Sequence, residues 1–124
     1  MTGYSVSIAH ASKDLTAKER IQLKDTTSAL KLDEVTQTEA IVIKPQMYAE
    51  LDIHNEMSDN KDYKNYIVVD EAGQKYVTGS TSFWTSFMEI AKEMENEQDD
   101  WSIRVYRMPS KNYKGKEFIT CSIE

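Results

Sequence analysis

From Met47 to His54 the chain alternates apolar and polar residues without a break. Met47, Ala49, Leu51 and Ile53 fall on one side, and Tyr48, Glu50, Asp52 and His54 on the other. Successive strand side chains point to opposite faces, so this period of two predicts a half-buried strand. Just before it lies the short apolar run Ala40 to Ile43. Pro45 interrupts that run, which predicts a bulge or an edge there.

Downstream, the same reading gives an ordered series of elements. Asn55 to Asp62 is polar and loop-like, and Tyr63 to Asp70 is a strand with the β-branched trio Ile67, Val68 and Val69. Glu71 to Gln74 is a turn in which Gly73 can supply a positive φ. Lys75 to Thr78 is a short third strand. Ser80, Thr81 or Ser82 caps a helix. Its apolar stripe is Phe83, Phe87, Ile90, Ala91 and Met94, widened by Trp84 and Met88. The helix is expected to end near Glu97. Trp101, Ile103 and Val105 alternate with Ser102, Arg104 and Tyr106 as a fourth strand. Pro109 to Gly115 is a loop. Lys116 to Ile123 is a fifth strand, with Ile119, Cys121 and Ile123 facing inwards.

Five strands with one helix between the third and fourth predict a β-rich OB-fold, a partly open five-stranded barrel, over residues 38–124. Residues 1–37 form an N-terminal extension. Tyr4, Val6 and Ile8 suit a frayed arm or an extra strand. Thr16-Ala17-Lys18-Glu19 fits a capping box opening a short helix to about Lys24. Thr26 to Val35 suits either a strand or a turn of helix.

The chemistry is narrowed by what is scarce. The histidines are His10 and His54 and the cysteine is Cys121, too few and too scattered for a structural zinc site. Cys121 falls on the buried face of its strand, and a lone cysteine forms no intrachain disulfide. The four glycines lack the spacing of a phosphate-cradling loop. No enzyme activity, metal or cofactor is expected. No apolar run approaches the ~18 residues of a membrane span. Met1 to His10 lacks the form of a secretory signal, so a cytoplasmic location is expected.

The formal net charge is -6, which argues against coating duplex DNA by charge alone. The charge is uneven, however. Glu89, Glu93, Glu95, Glu97, Asp99 and Asp100 make the end of the helix acidic. Arg104, Arg107, Lys111, Lys114 and Lys116 make the C-terminal segment basic.

Aromatic and basic residues interleave at Tyr63-Lys64-Asn65-Tyr66, at Arg104-Val105-Tyr106-Arg107 and at Lys111-Asn112-Tyr113-Lys114-Gly115-Lys116. Single strands are held by cationic grooves and aromatic faces, each stacked base being worth ~1–3 kcal/mol. Candidate nucleic-acid contacts are His54, Lys64, Tyr66, Tyr76, Arg104, Tyr106, Lys111, Tyr113, Lys114, Lys116 and Phe118. Tyr66 and Tyr76 suit a core equally well, since tyrosine packs readily on a pleated surface. Phe118 points away from Ile119 and Cys121, and an outward Phe wants a base or a protein partner.

Three stretches carry a family resemblance: Tyr63-Lys-Asn-Tyr-Ile-Val-Val-Asp70, Tyr76-Val-Thr-Gly-Ser80 and Pro109-Ser-Lys-Asn-Tyr-Lys-Gly-Lys-Glu-Phe-Ile-Thr-Cys-Ser122. There the chain resembles small single-stranded DNA-binding proteins of phages and mobile elements of Gram-positive bacteria. The resemblance covers about residues 38–124. It implies an OB-fold, no cofactor, and sequence-independent binding of single-stranded DNA, with RNA also open, during replication or recombination. It also implies homo-oligomers, often dimers, in the host cytoplasm. Many such relatives end in an acidic tail closing on an apolar residue. Cys121-Ser-Ile-Glu124 instead falls within the fifth strand.

A different class of function competes. A small acidic phage-type protein could bind and inhibit a host protein by imitating nucleic acid. That reading uses the negative charge, the acidic stretch after the helix, and an exposed Trp84 or Phe118. An oligosaccharide-binding barrel would use the same aromatic residues but needs no lysines.

Overall fold

The computed structural model describes residues 3–97, 100–110 and 115–124. Eight strands and three helices are found among them, and the chain is β-rich. The strands are β1 (Tyr4–Ala11), β2 (Leu30–Lys31), β3 (Ile41–Ile43), β4 (Pro45–Asn55), β5 (Asp62–Asp70), β6 (Lys75–Thr78), β7 (Ile103–Pro109) and β8 (Glu117–Ile123). The helices are α1 (Ala17–Lys24), α2 (Leu32–Val35) and α3 (Thr81–Met94). One sheet has the order β1-β4-β5-β6-β2 and the other β3-β7-β8.

Among the described residues the strands lie in two separate sheets and no closed barrel is found, where the element order predicts a single partly open five-stranded barrel. The local reason lies at residues 43–45. Pro45 has no N–H to donate, and the ladder breaks between Ile43 and Pro45. Ile41–Ile43 pairs with β7, while β4 lies between β1 and β5. The N-terminal segment is therefore an extra strand, not a frayed arm. The chain divides into two compact units. One comprises the residues up to Leu30 together with Gln46–Gly79, and the other Lys31–Pro45 with Ser80–Glu124.

The first unit is organised by β4. Met47, Ala49, Leu51 and Ile53 are all buried, as their alternation requires. Leu23 from α1, Ile67 from β5 and Val77 from β6 complete that core. Val6 and Ile8 of β1 pack against it half-buried. Strand β1 runs antiparallel to β4 from Tyr4↔Asn55 to Ile8↔Leu51, then shifts register so that Ala9 is the extra residue of a bulge. Helix α1 opens with the predicted capping box. Thr16 Oγ1 accepts from the Glu19 amide at 3.2 Å, and Glu19 Oε1 accepts from the Thr16 amide at 3.0 Å. Lys13, 2.8 Å from the Glu19 carboxylate, holds its pKa down at about 2. At the other end of α1, Lys75 Nζ donates to the carbonyls of Gln22 and Asp25 at 2.7 and 2.6 Å. A cation at a helix C-terminus satisfies orphan carbonyls and opposes the helix dipole.

The β5–β6 turn also follows the sequence. Asp70 Oδ1 accepts from the amides of Ala72 and Gln74, and Gly73 takes φ +90°.

In the second unit Ser80 caps α3 by accepting from the Phe83 amide at 3.2 Å. Phe83, Trp84, Phe87 and Ala91 are its buried residues. The Phe87 ring lies between those of Phe83 and Trp84, at centroid distances of 5.7 and 5.4 Å. Trp84 is thus core, not the exposed anchor that a protein-binding reading would use. Helix α3 packs on β8, where Ser82 Oγ donates to the Ile119 carbonyl and Ser86 Oγ meets Thr120 Oγ1, both at 2.9 Å. Ile119 and Cys121 are buried, whereas Ile123, expected inside, is 52% exposed at the end of edge strand β8.

Two substitutions test these determinants. Leu51→Ala is expected to cost about 2–5 kcal/mol in urea unfolding, because Leu51 is fully buried at the centre of β4. Gly73→Ala is expected to cost about 1–2 kcal/mol through backbone strain alone, since a Cβ there meets nothing within 4 Å.

Candidate nucleic-acid interface

The sequence candidates fall into two groups on two sheets. His54, Lys64, Tyr66 and Tyr76 belong to the five-stranded sheet, and Arg104, Tyr106 and Phe118 to the three-stranded one. Lys116 is exposed immediately before β8. Lys111, Tyr113 and Lys114 lie outside the described residues.

On the five-stranded sheet the candidate bases His54 and Lys64 are already committed to acids. Lys64 Nζ lies 2.9 Å from Glu50 Oε2 and 2.6 Å from Asp52 Oδ1. Those two carboxylates push the Lys64 pKa up. His54 is held on both sides of its ring, by Asp62 at Nδ1 (2.7 Å) and Glu56 at Nε2 (2.6 Å). Glu56 also pairs with Lys61 at 3.1 Å. The two carboxylates, Asp62 first, raise the His54 pKa. A cleft of about 430 Å³ opens here, lined by Ser5, Ser7, Asp52, His54, Tyr63 and Lys64 among others. Four carboxylates thus surround two lysines and one histidine, even with the imidazole charged. A phosphate approaching Lys64 competes with two carboxylates already in place, so this face is not a cationic groove.

The tyrosines of this sheet are no better placed for stacking. Tyr66 is 5% exposed, within the consecutively buried run Tyr66, Ile67 and Val68. Its ring has no open face for a base. Tyr76 is half-buried in β6, opposite Val68. Burial raises the pKa of both phenols.

The three-stranded sheet is arranged differently. Directly opposed residues of an antiparallel ladder share a face. The rungs Val42–Arg104–Ser122, Tyr106–Thr120 and Met108–Phe118 therefore lie on one side. The other side carries the buried Ile43, Ile103, Val105, Ile119 and Cys121. Burial pushes the Cys121 thiol up to about 12, which leaves it unreactive at neutral pH. On the open side Arg104 is exposed, and Val42, Met108 and Phe118 are 56%, 42% and 37% exposed. Tyr106 is half-buried, its hydroxyl fixed by Ser122 Oγ at 2.6 Å. A base, a fixed phenol and an outward Phe thus share one exposed surface.

Arg107 belongs to the basic run of the sequence but is not among its candidate contacts. Its Nη2 donates to the Asp33 carbonyl, its Nη1 is 4.0 Å from Glu117 Oε1, and its buried Nε has no partner among the described residues. With Arg104 and Tyr106 it lines a cleft of about 700 Å³ that residues 36–40 and the end of β8 complete. The signal was there in the sequence. Period two puts Arg107 on the apolar side with Ile103 and Val105, where a base is out of place and requires a partner.

Among the described residues no cluster of His, Cys, Asp or Glu is arranged to hold a metal, and no helix is long and apolar enough to cross a membrane. No family model matches this chain, and neither does a curated protein or a solved structure.

The His54 arrangement makes a pH prediction. A raised histidine pKa contributes stability that is fully present below the unfolded value, about 6.5, and is lost as pH rises through the folded value. The His54 ring resonances should titrate with a midpoint above about 6.5. Asp62→Asn should lower that midpoint. An unchanged midpoint would show that the Asp62 contact does not hold in solution.

Proposed function

We propose that this protein binds single-stranded nucleic acid, DNA in the first instance, without sequence preference and without catalysing a reaction. The observation that carries the reading is the face shared by the exposed Arg104 and Phe118 and the half-buried Tyr106. Aromatic faces accept any base, and a guanidinium neutralises phosphate, so the combination tracks a strand irrespective of sequence. Lys116 extends the cationic character at the start of β8. The reading extends, on the family resemblance alone, to phage or mobile-element replication or recombination.

The same resemblance suggests an open OB-fold. In its support, the order from β3 to β8 has one helix between β6 and β7, and β7–β8 and β5–β6 are antiparallel ladders. A partly open barrel of this class binds its ligand on exposed strand faces.

Fluorescence polarisation with labelled oligo-dT at low and high salt tests the function. Binding is expected at micromolar protein in low salt and should weaken as salt rises. Tyr106→Ala and Phe118→Ala should each weaken binding by about 1–3 kcal/mol. Arg104→Ala should weaken it with a salt slope shallower by about 1. Lys64→Ala should change affinity little, because Glu50 and Asp52 already take its charge. No binding in low salt would sink the proposal.

A second reading draws on the five-stranded sheet. Its Glu50, Asp52, Glu56 and Asp62 form an acidic surface on a chain of net charge -6, as an inhibitor imitating nucleic acid would require. Retention of a host protein after nuclease treatment, lost on charge reversal of Asp52 and Asp62, would favour it.

A further inference from the structure

Arg104, Tyr106 and Arg107 of β7 form one wall of the cleft of about 700 Å³, and residues 36–40, Glu117 and Ser122–Glu124 complete it. All of these residues belong to the second unit. Its volume is that of a small-ligand site.

The charge of the cleft is mixed. The guanidiniums of Arg104 and Arg107 line it together with the carboxylates of Glu39, Glu117 and Glu124. Arg104, Glu39 and Glu124 are exposed, and among the described residues no hydrogen bond or ion pair takes their side chains. Arg107 donates from Nη2 to the Asp33 carbonyl, while its Nη1 has only Glu117, at 4.0 Å. Paired donors and paired acceptors therefore stand unused around one opening.

That balance selects the ligand. A phosphate alone would meet more carboxylates than guanidiniums, and a polycation would meet both guanidiniums. A neutral group that donates and accepts gains from both kinds, and a hydroxyl is such a group. Hydroxyls on adjacent carbons offer two protons to a carboxylate and lone pairs to a guanidinium. Carboxylates hold ribose hydroxyls in this manner in dinucleotide sites. Arg104 and Tyr106 belong both to the cleft and to the open face of the three-stranded sheet, so a strand lying on that face leads into it.

We propose that this cleft binds the vicinal diol of a ribose, whose 2′-hydroxyl a deoxyribose lacks. Glu39 and Glu124 accept from the diol, because Glu117 is turned to Arg107. The diol arrives on the 3′ end of an RNA strand or on a free ribonucleoside. The first source rests on the strand reading above, and the second does not. The open sheet face treats ribose and deoxyribose alike, whereas the cleft does not.

The experiment is fluorescence polarisation of the full chain with labelled oligo-dT whose 3′ residue is a ribonucleotide, a deoxynucleotide or a 2′-O-methyl nucleotide. The ribo end should bind about tenfold tighter than the other two, the worth of a hydrogen bond to a charged group. Glu39→Gln/Glu124→Gln should bring that ratio down towards one, and both positions are exposed, so the fold should hold. In parallel, uridine and 2′-deoxyuridine are titrated at millimolar concentration while amide resonances are followed. Uridine should shift residues 36–40 and Ser122–Glu124, and deoxyuridine should not. A ribo-end preference assigns the site to strand ends, and uridine-specific shifts without that preference assign it to a free ribonucleoside. Equal binding of the three ends with no uridine-specific shift overturns the proposal. So does a preference that the double variant keeps. Equal binding leaves the strand reading standing. If no oligonucleotide binds, the strand reading falls, and the uridine titration alone decides the cleft.

Discussion

The alternation along β4 is the constraint on which the first unit depends. It turns Met47, Ala49, Leu51 and Ile53 to one side, where they form one buried core with Leu23, Ile67 and Val77. Each of those three comes from a different element. Removing water from this apolar surface is the favourable term, and a strand slipped by one residue would turn the whole set outwards. The flanking strands are therefore held in register by burial as much as by their hydrogen bonds. β1 belongs to this arrangement because Val6 and Ile8 pack on the same core.

Charge is distributed with equal consequence. Lys64 and His54 sit on the polar side of the five-stranded sheet, where strand pairing sets carboxylates beside them. The positive charge of Lys64 is met within the sheet, and both nitrogens of the His54 ring are held by acids. On the three-stranded sheet no carboxylate lies on the rungs that carry Arg104 and Tyr106, and that face keeps an exposed base beside aromatic side chains. The two sheets thus offer surfaces of different character, one acidic and internally neutralised, the other with an exposed arginine beside aromatic side chains, next to a cleft that Glu39, Glu117 and Glu124 also line.

Much of the local structure was legible from the residues. The Thr16 capping box, the Ser80 cap, the Gly73 turn and the alternation of β4 and β8 involve groups a few positions apart, and short-range chemistry decides them. The candidate site was legible only in part. Period two turns Tyr106 and Phe118 away from the buried face of their strands, and the ladder register agrees. Tyr66 could not be resolved, because β5 is buried on both faces in its middle and period two then carries no information. Ile123 has the right period but lies at the end of an edge strand, where nothing covers it fully.

By itself the sequence determined α1, α3 and the strands from β4 onward, because caps, turns and alternation act over a few residues, and it left β1, β2 and α2 open. Only the tertiary structure decided which strands become neighbours and which charges meet. Lys64 finds its acids 12 and 14 positions away, and Arg107 finds the Asp33 carbonyl 74 positions away. Such pairings depend on which strands are brought side by side, and no local preference encodes that. The physical reason is that burial rewards any partner that excludes water, so the pattern of β4 demands a cover without naming it. That cover included β1 and α1, the segment whose role the residues alone left open.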